Sequence, residues 1–309
     1  MNTGMLVIKP GIHATTQDLG RNGYQHLGVT PGGAADGLSA NWANRLLEND
    51  PTAAVLEITA GGLELEVQTQ TMVAVTGGDL NLTLNGHPQI PWRSFWVRQG
   101  DRLKFGYPRH GFRAYLAVSG GFQVNTVLGS CATVLRDGMG GIHGDGERLQ
   151  HHDFLPCIHL QKERVARQIP ERYLPDFNED LTVHVIPGYQ QQLFAKESWQ
   201  TFWDSEYEIT PDSDSMGARL KGKAVKPPEM NLLSEAVCYG AIQVPGDGQP
   251  IILLQQRQTL GGYPKLGSIL PLSGFELAQR APGSVIRFRP IGLTEAQQQM
   301  RRYLRFFGL

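Results

Sequence analysis

The residues best suited to chemistry lie within 240–264, GAIQVPGDGQPIILLQQRQTLGGYP. Residues 241–244 and 251–254 read as the arms of a β-hairpin around the turn Pro245-Gly246-Asp247-Gly248. The second arm is apolar throughout, as a strand buried on both faces requires. After it come Gln255, Gln256, Arg257, Gln258 and Thr259, then Gly261-Gly262-Tyr263-Pro264, whose glycines let backbone approach a ligand closely. Gln243, Gln255, Gln256 and Gln258, with Thr259, offer neutral donors and acceptors at the mouth of a β-barrel. Such a set suits a small neutral amide better than a phosphate or a metal. A barrel rim whose glutamines only satisfy loop backbone has the same pattern, and spacing alone leaves both readings open.

A second group of candidates sits at the ends of other strands. Residues 12–36 carry five glycines and isolated polar groups with no sustained period, and a loop of that length is more often functional than idle. Asp18 and Arg21 fall in it and could pair across a turn. With Glu57 and Arg113 they complete the charged candidates at strand ends.

Other phrases are weaker. Residues 217–224, GARLKGKA, nearly match a phosphate-binding loop, but Ala224 replaces the hydroxyl that would hold magnesium and Pro227-Pro228 leaves no room for the following helix. His143, His151, His152, Asp153, Cys157 and His159 lie close in sequence without zinc-site spacing, and read as a polar surface linker. No GxSxG elbow, HExxH motif or catalytic-cysteine signature is present, so a self-contained hydrolase is not written here.

Composition narrows the classes. The chain has 309 residues and a formal net charge of −1, without the basic excess of a nucleic-acid binder. Three scattered cysteines make neither a disulfide framework nor a zinc set, and no apolar run approaches the length of a membrane span. A cytoplasmic protein with no nucleic-acid or membrane partner is expected.

The elements that must hold these residues are mostly strands. They are expected at 5–9, 54–59, 63–68, 72–76, 80–84, 92–97, 102–105 and 112–118, then at 181–186, 206–210, 266–271 and 284–288, punctuated by glycine turns. Asp36 should N-cap a helix carrying Leu38, Trp42, Leu46 and Leu47. Further helices are expected at 190–203 and 274–279, and a C-terminal one opened by a Thr294–Gln297 capping box. The polar, proline-bearing stretch 150–180 divides a domain 1–175 from a domain 176–309. The phrase 282–288 echoes 99–105, a hint of two similar barrels in tandem.

Several blocks occur in an order that resembles one family. They are 15–24 (TTQDLGRNGY), 33–36 (GAAD), Ala43-Asn44, 56–59 (LEIT), 115–121 (YLAVSGG), 128–130 (LGS), 213–217 (SDSMG), 241–245 (AIQVP) and 258–264 (QTLGGYP). This chain resembles the allophanate hydrolase subunit 2, or biotin-dependent carboxyltransferase-like, family. That family includes the C subunit of bacterial 5-oxoprolinase, an antagonist of a sporulation-kinase inhibitor, and the carboxyltransferase region of urea carboxylase. The resemblance implies a mainly β fold, two tandem cyclophilin-like β-barrel domains with a few short helices. It implies ATP-dependent opening of 5-oxoproline to glutamate, shared with an A subunit and a kinase-inhibitor-like B subunit, the chain being inactive without them. A small neutral amide or lactam would lie against Gln243, Pro245, Gln258, Thr259, Gly261, Gly262 and Tyr263, with Asp18 and Glu57 the carboxylates for proton transfer and Arg21 or Arg113 stabilising an oxyanion or a phosphate. The alternatives are a regulatory module that antagonises a kinase inhibitor, or a carboxyltransferase acting on urea or a related amide, with biotin supplied by another chain. The family pattern departs at Ser215, where an arginine is expected, and at Gln256 and near Gly274, where aspartates are expected.

Overall fold

The computed structural model describes residues 3–161, 164–229 and 232–309. The chain forms two compact units, Met1–Arg21 with Gly32–Asn178, and Asn22–Pro31 with Glu179–Leu309. Residues 22–31, early in the sequence, thus group with the second unit.

In the first unit the strands are β1 (Gly4–Pro10), β2 (His13–Gln17), β3 (Val55–Thr59), β4 (Leu63–Val67), β5 (Thr71–Asp79), β6 (Thr83–Leu84), β7 (His87–Pro88), β8 (Arg93–Val97), β9 (Arg102–Lys104), β10 (His110–Val118) and β11 (Phe154–Pro156). They make one sheet in the order β11-β1-β4-β9-β6-β7 and another in the order β2-β3-β10-β5-β8. Alternation decides which side of each strand is covered. In β4, Leu63, Leu65 and Val67 are fully buried, while Glu64 and Glu66 face out and pair with Lys9 and Arg102. Val7, Leu65 and Leu103 of the first sheet meet Ile58, Val75 and Leu116 of the second in one core.

Helix α1 (Gly37–Leu46) packs on the other face of the second sheet, its Ala40, Ala43 and Leu46 against Val55, Met72, Ala74 and Ala117. Asp36 caps it as expected, accepting from Ser39 N at 3.0 Å, a contact worth about 1 kcal/mol.

The second unit contains β12 (Leu181–Pro187), α2 (Lys196–Asp204), β13 (Glu206–Ile209), β14 (Gly217–Gly222), β15 (Glu235–Ala236), β16 (Ala241–Gln243), β17 (Ile251–Leu253), β18 (Leu260–Gly261), β19 (Lys265–Ile269), α3 (Pro271–Leu277), β20 (Val285–Pro290) and α4 (Leu293–Phe307). Seven of these strands close a barrel in the order β12-β19-β16-β17-β14-β13-β20, sealed by parallel pairing of β20 with β12. Val183, Leu220, Ile242, Ile252, Leu266 and Ile286 belong to its core, and Phe202 of α2 stacks on Phe288 at 4.4 Å between ring centroids. The mainly β expectation holds, as does the hairpin, since β16 and β17 pair antiparallel.

The phosphate-loop reading stays set aside, and two local expectations change. The phosphate-loop-like phrase is largely strand β14, whose residues 217–219 pair with β17, so its backbone is spent on the barrel. The stretch 190–203 splits into a single turn at Gln191–Leu193 and α2. Gly292 rather than Thr294 is the N-cap of α4, with no side-chain cap bond, because the helix already begins at Leu293. Among the described residues no helix is long and apolar enough to cross a membrane.

Candidate functional site

In the first unit the charged candidates form two networks. Asp18 is fully engaged: its Oδ1 accepts from Gly20 N at 2.7 Å and Ser130 Oγ at 2.6 Å, and its Oδ2 from Cys131 N at 2.8 Å. Arg21 is 1% exposed and donates to the carbonyls of Val127, Ser130 and Ala132, the last at 2.7 Å. Burial pulls its guanidinium below the usual range, and Asp18 opposes that. The expected Asp18–Arg21 contact is replaced by a shared grip on residues 127–132, because Asp18 finds nearer amide and hydroxyl donors there. Among the described residues, Arg21 Nη1 and Gln17 Oε1 are buried without a hydrogen-bond partner.

The second network lies at the N-terminal end of α1. Register places Glu57 between Thr15 and Tyr115, and Thr59 between His13 and Arg113. Consecutive amides then dock on the sheet: Ala34 N on Asp18 O, Ala35 N on Glu57 Oε2 at 2.8 Å, and Asp36 N on Tyr115 Oη at 2.7 Å. Tyr115 donates in turn to Glu57 Oε2 at 2.9 Å, and Arg113 Nε lies 3.8 Å from Glu57 Oε1. Burial, with help from Glu57, raises the Tyr115 phenol well above its ordinary value, so it stays a donor. Burial also lowers His13, against the opposing pull of Glu57. Glu57 is therefore a nearly buried carboxylate with one oxygen tied to the fold and the other facing an arginine.

In the second unit, Ile242 and Val244 point into the barrel core, so Gln243 projects to the outer face with Ala241. It does not line a barrel mouth; strand alternation sends it beneath the short pair β15–β18. Gln243 is 1% exposed and, among the described residues, its Nε2 has no hydrogen-bond partner. That nitrogen abuts Gly261, where an added Cβ would come within 2.5 Å of it. Opposite Gln243 across the ladder stands Lys265, buried, whose ammonium meets Glu235 Oε1 at 2.5 Å. The same oxygen accepts from Gln190 Nε2 at 2.7 Å and from the Tyr189 hydroxyl. The Lys265 bond first, and the Tyr189 bond after it, hold the Glu235 carboxyl below its usual range; the bond to Glu235 raises Tyr189.

The predicted ligand residues divide around this cluster. Gln243 and Gly261 belong to it, and Tyr263 contributes its carbonyl to Lys265 Nζ at 3.5 Å. Thr259 is joined through its carbonyl to Val237 N. Gly262 lies against Ser234. Pro245 starts the hairpin turn, and among the described residues no hydrogen bond joins Gln258 to the cluster. Lys265, Glu235, Tyr189 and Gln190 were not legible as site residues. A lysine in an otherwise apolar strand, KLGSI, was the one signal pointing to them.

The departures from the family pattern have physical form here. Gln256 N donates to Ser215 O at 2.8 Å, so the two positions where the resemblance implies an arginine and an aspartate are neighbours. At Gly274 a Cβ would lie 2.1 Å from the Tyr239 hydroxyl, so a larger residue there requires the Tyr239 side chain to shift. The histidine-rich stretch is dispersed: His143 Nε2 meets Asp153, His151 meets Ile8 O, and His159 meets Thr69. Among the described residues no three His, Cys, Asp or Glu side chains are grouped to hold a metal ion.

Against known proteins, the family model of the carboxyltransferase domain, subdomain A and B, matches residues 27–290. The chain is 34% identical to the C subunit of 5-oxoprolinase from Escherichia coli over 97% of its own length and 96% of that protein. It is likewise 34% identical to the C subunit of 5-oxoprolinase from Haemophilus influenzae, over 94% of its length and 92% of that protein. A solved structure of Kluyveromyces lactis urea amidolyase superimposes with a TM-score of 0.89 at 28% identity, covering 99% of this chain and 20% of that one.

Proposed function

We propose, from the premise that this chain belongs to the carboxyltransferase family of subdomains A and B, that it is the C subunit of an ATP-dependent 5-oxoprolinase. With A and B subunits it opens the lactam of 5-oxoproline to glutamate, and alone it is inactive. The observation that carries this reading is co-extension: the chain matches the 5-oxoprolinase subunits along nearly their whole length, but only a fifth of urea amidolyase.

The chemistry of the residues supports it. A lactam is uncharged and planar, and it must be gripped by amide and hydroxyl groups that discriminate strongly when left unpaired. Gln243 Nε2 is such a donor, buried and unmatched by protein. In the first unit, Glu57 Oε1 is the carboxylate atom left to take a proton, with Arg113 as its counter-charge. Asp18, saturated by three donors, acts as a pin for residues 127–132, and Arg21 with it. ATP is the co-substrate the reading requires, and the one phosphate-loop-like phrase of this chain does not fit it, being a barrel strand. In this reading ATP is shared with the partner subunits in the cytoplasm.

The 0.89 superposition on urea amidolyase favours a second reading, transfer of a carboxyl group from biotin carried by another chain to urea or a related amide. Copurification separates these readings and the regulatory one. Partners that hydrolyse ATP only when 5-oxoproline is added support the first, and a urea-dependent, biotin-bearing complex supports the second. A complex without substrate-dependent turnover that releases a kinase from its inhibitor supports the regulatory role.

A further inference from the structure

Three donors converge on a single oxygen in the second unit. Lys265 Nζ, Gln190 Nε2 and the Tyr189 hydroxyl all meet Glu235 Oε1. Their scaffold is rigid: Lys265 N donates to Gln190 Oε1 at 2.8 Å, which fixes the glutamine, and Lys265 is opposite Gln243 in the barrel ladder. The acceptor is held less firmly. Glu235 lies on a two-residue strand paired only with Leu260–Gly261, and its side chain is 37% exposed against 9% for Lys265. Lys265 and Gln190 thus belong to the buried side of the cluster, while the carboxylate and the exposed Tyr189 belong to the solvent side. Beside them, across Gly261 from Glu235, Gln243 Nε2 is a fourth donor, buried and unused.

A simple structural ion pair does not need this many donors on one oxygen, nor an unspent amide next to it. We propose that Lys265, Gln190 and Tyr189 form a carboxylate-binding subsite, that Glu235 is its internal occupant, and that a ligand carboxylate enters by displacing the Glu235 side chain while Gln243 Nε2 receives an acceptor of the same ligand. The identity of that ligand rests on the proposed function: 5-oxoproline carries both a carboxylate and a lactam carbonyl. The exchange swaps one carboxylate for another at a buried ammonium, so the site never leaves Lys265 without a counter-charge. It also selects against neutral amides, which cannot replace Glu235.

The test is an NMR-detected titration of the full chain with acetate, 5-oxoproline and the uncharged 2-pyrrolidinone at fixed ionic strength. It compares the wild type with Glu235→Gln and with the double variant Glu235→Gln/Lys265→Met, which keeps the pair electrically neutral and so folded. Glu235→Gln is expected to bind acetate and 5-oxoproline at least about tenfold more tightly than the wild type, with 2-pyrrolidinone unchanged, and the double variant is expected to lose that gain. Equal carboxylate affinity in the wild type and Glu235→Gln overturns the proposal, as does a gain that persists without Lys265. Tightened acetate binding in Glu235→Gln, together with an assembled complex that makes no glutamate, keeps the subsite and removes 5-oxoproline as its ligand.

Discussion

Removing the Glu57 carboxylate should separate what holds the first unit together from what the carboxylate does. Its Oε2 accepts from Ala35 N at 2.8 Å and Tyr115 Oη at 2.9 Å, its Oε1 faces Arg113, and the residue is 8% exposed. Glu57→Ala strands two donors and removes the carboxylate facing Arg113, and breaking a buried charged network of this kind costs about 3–5 kcal/mol. Glu57→Gln also removes the charge facing Arg113 but keeps an acceptor for the two donors, so it costs less, about 1–2 kcal/mol, since bonds to ionised acceptors are roughly twice as strong as neutral ones. With a urea dependence of ~1–3 kcal/mol/M, the alanine variant should lower the unfolding midpoint by about 1–5 M and the glutamine variant by roughly half of that or less. A Tyr115→Phe/Glu57→Gln cycle should show coupling on the order of 1 kcal/mol. An unchanged midpoint in Glu57→Ala would refute the network. In the assembled complex Glu57→Gln should still assemble yet lose most turnover. Full turnover in that variant would return Glu57 to a purely structural role.

Three other outcomes follow from the geometry. His13 titrates below its ordinary value because burial disfavours its charged form, so the unfolded chain takes up its proton first. Stability should be unaffected above the unfolded value near 6.5 and should fall as pH drops from there toward the lowered folded value; equilibrium unfolding of His13→Gln should lack that slope. Asp18→Asn cannot accept on both sides, and should cost about 1–3 kcal/mol and expose residues 127–132 to proteolysis, an effect read by limited digestion. Gly274→Ala should destabilise the second unit by about 1–3 kcal/mol through collision with Tyr239, and Tyr239→Ala in the same chain should recover part of that in a melting experiment.

What the sequence revealed depended on how local the signal was. The hairpin 241–254 was legible because two apolar arms flank a Pro-Gly-Asp-Gly turn, and the α1 cap because Asp36 immediately precedes a periodic stripe. Strand β14 was obscured by basic residues that face outward on a barrel wall, where Arg219 and Lys221 remain exposed while Ala218 and Leu220 are buried. The direction of Gln243 was set by its neighbours: with Ile242 and Val244 committed to the core, the amide had to turn outward. The Lys265 cluster was the least legible feature. Tyr189 and Gln190, Glu235, and Lys265 come from three separate segments that meet only in the fold, and Lys265 alone stands out in its own stretch of sequence. Likewise, no local pattern distinguishes 22–31 as part of the second unit, where Thr30 Oγ1 reaches Arg257 O.

The central claim is that this polypeptide completes a lactam-opening enzyme whose energy comes through its partners. Reconstitute the A and B subunits with and without this chain, supply ATP and 5-oxoproline, and follow glutamate by coupled oxidation. The account predicts glutamate at a rate that depends on all three polypeptides and on ATP. Equal glutamate formation with this chain omitted, or none with the full set assembled, would contradict it.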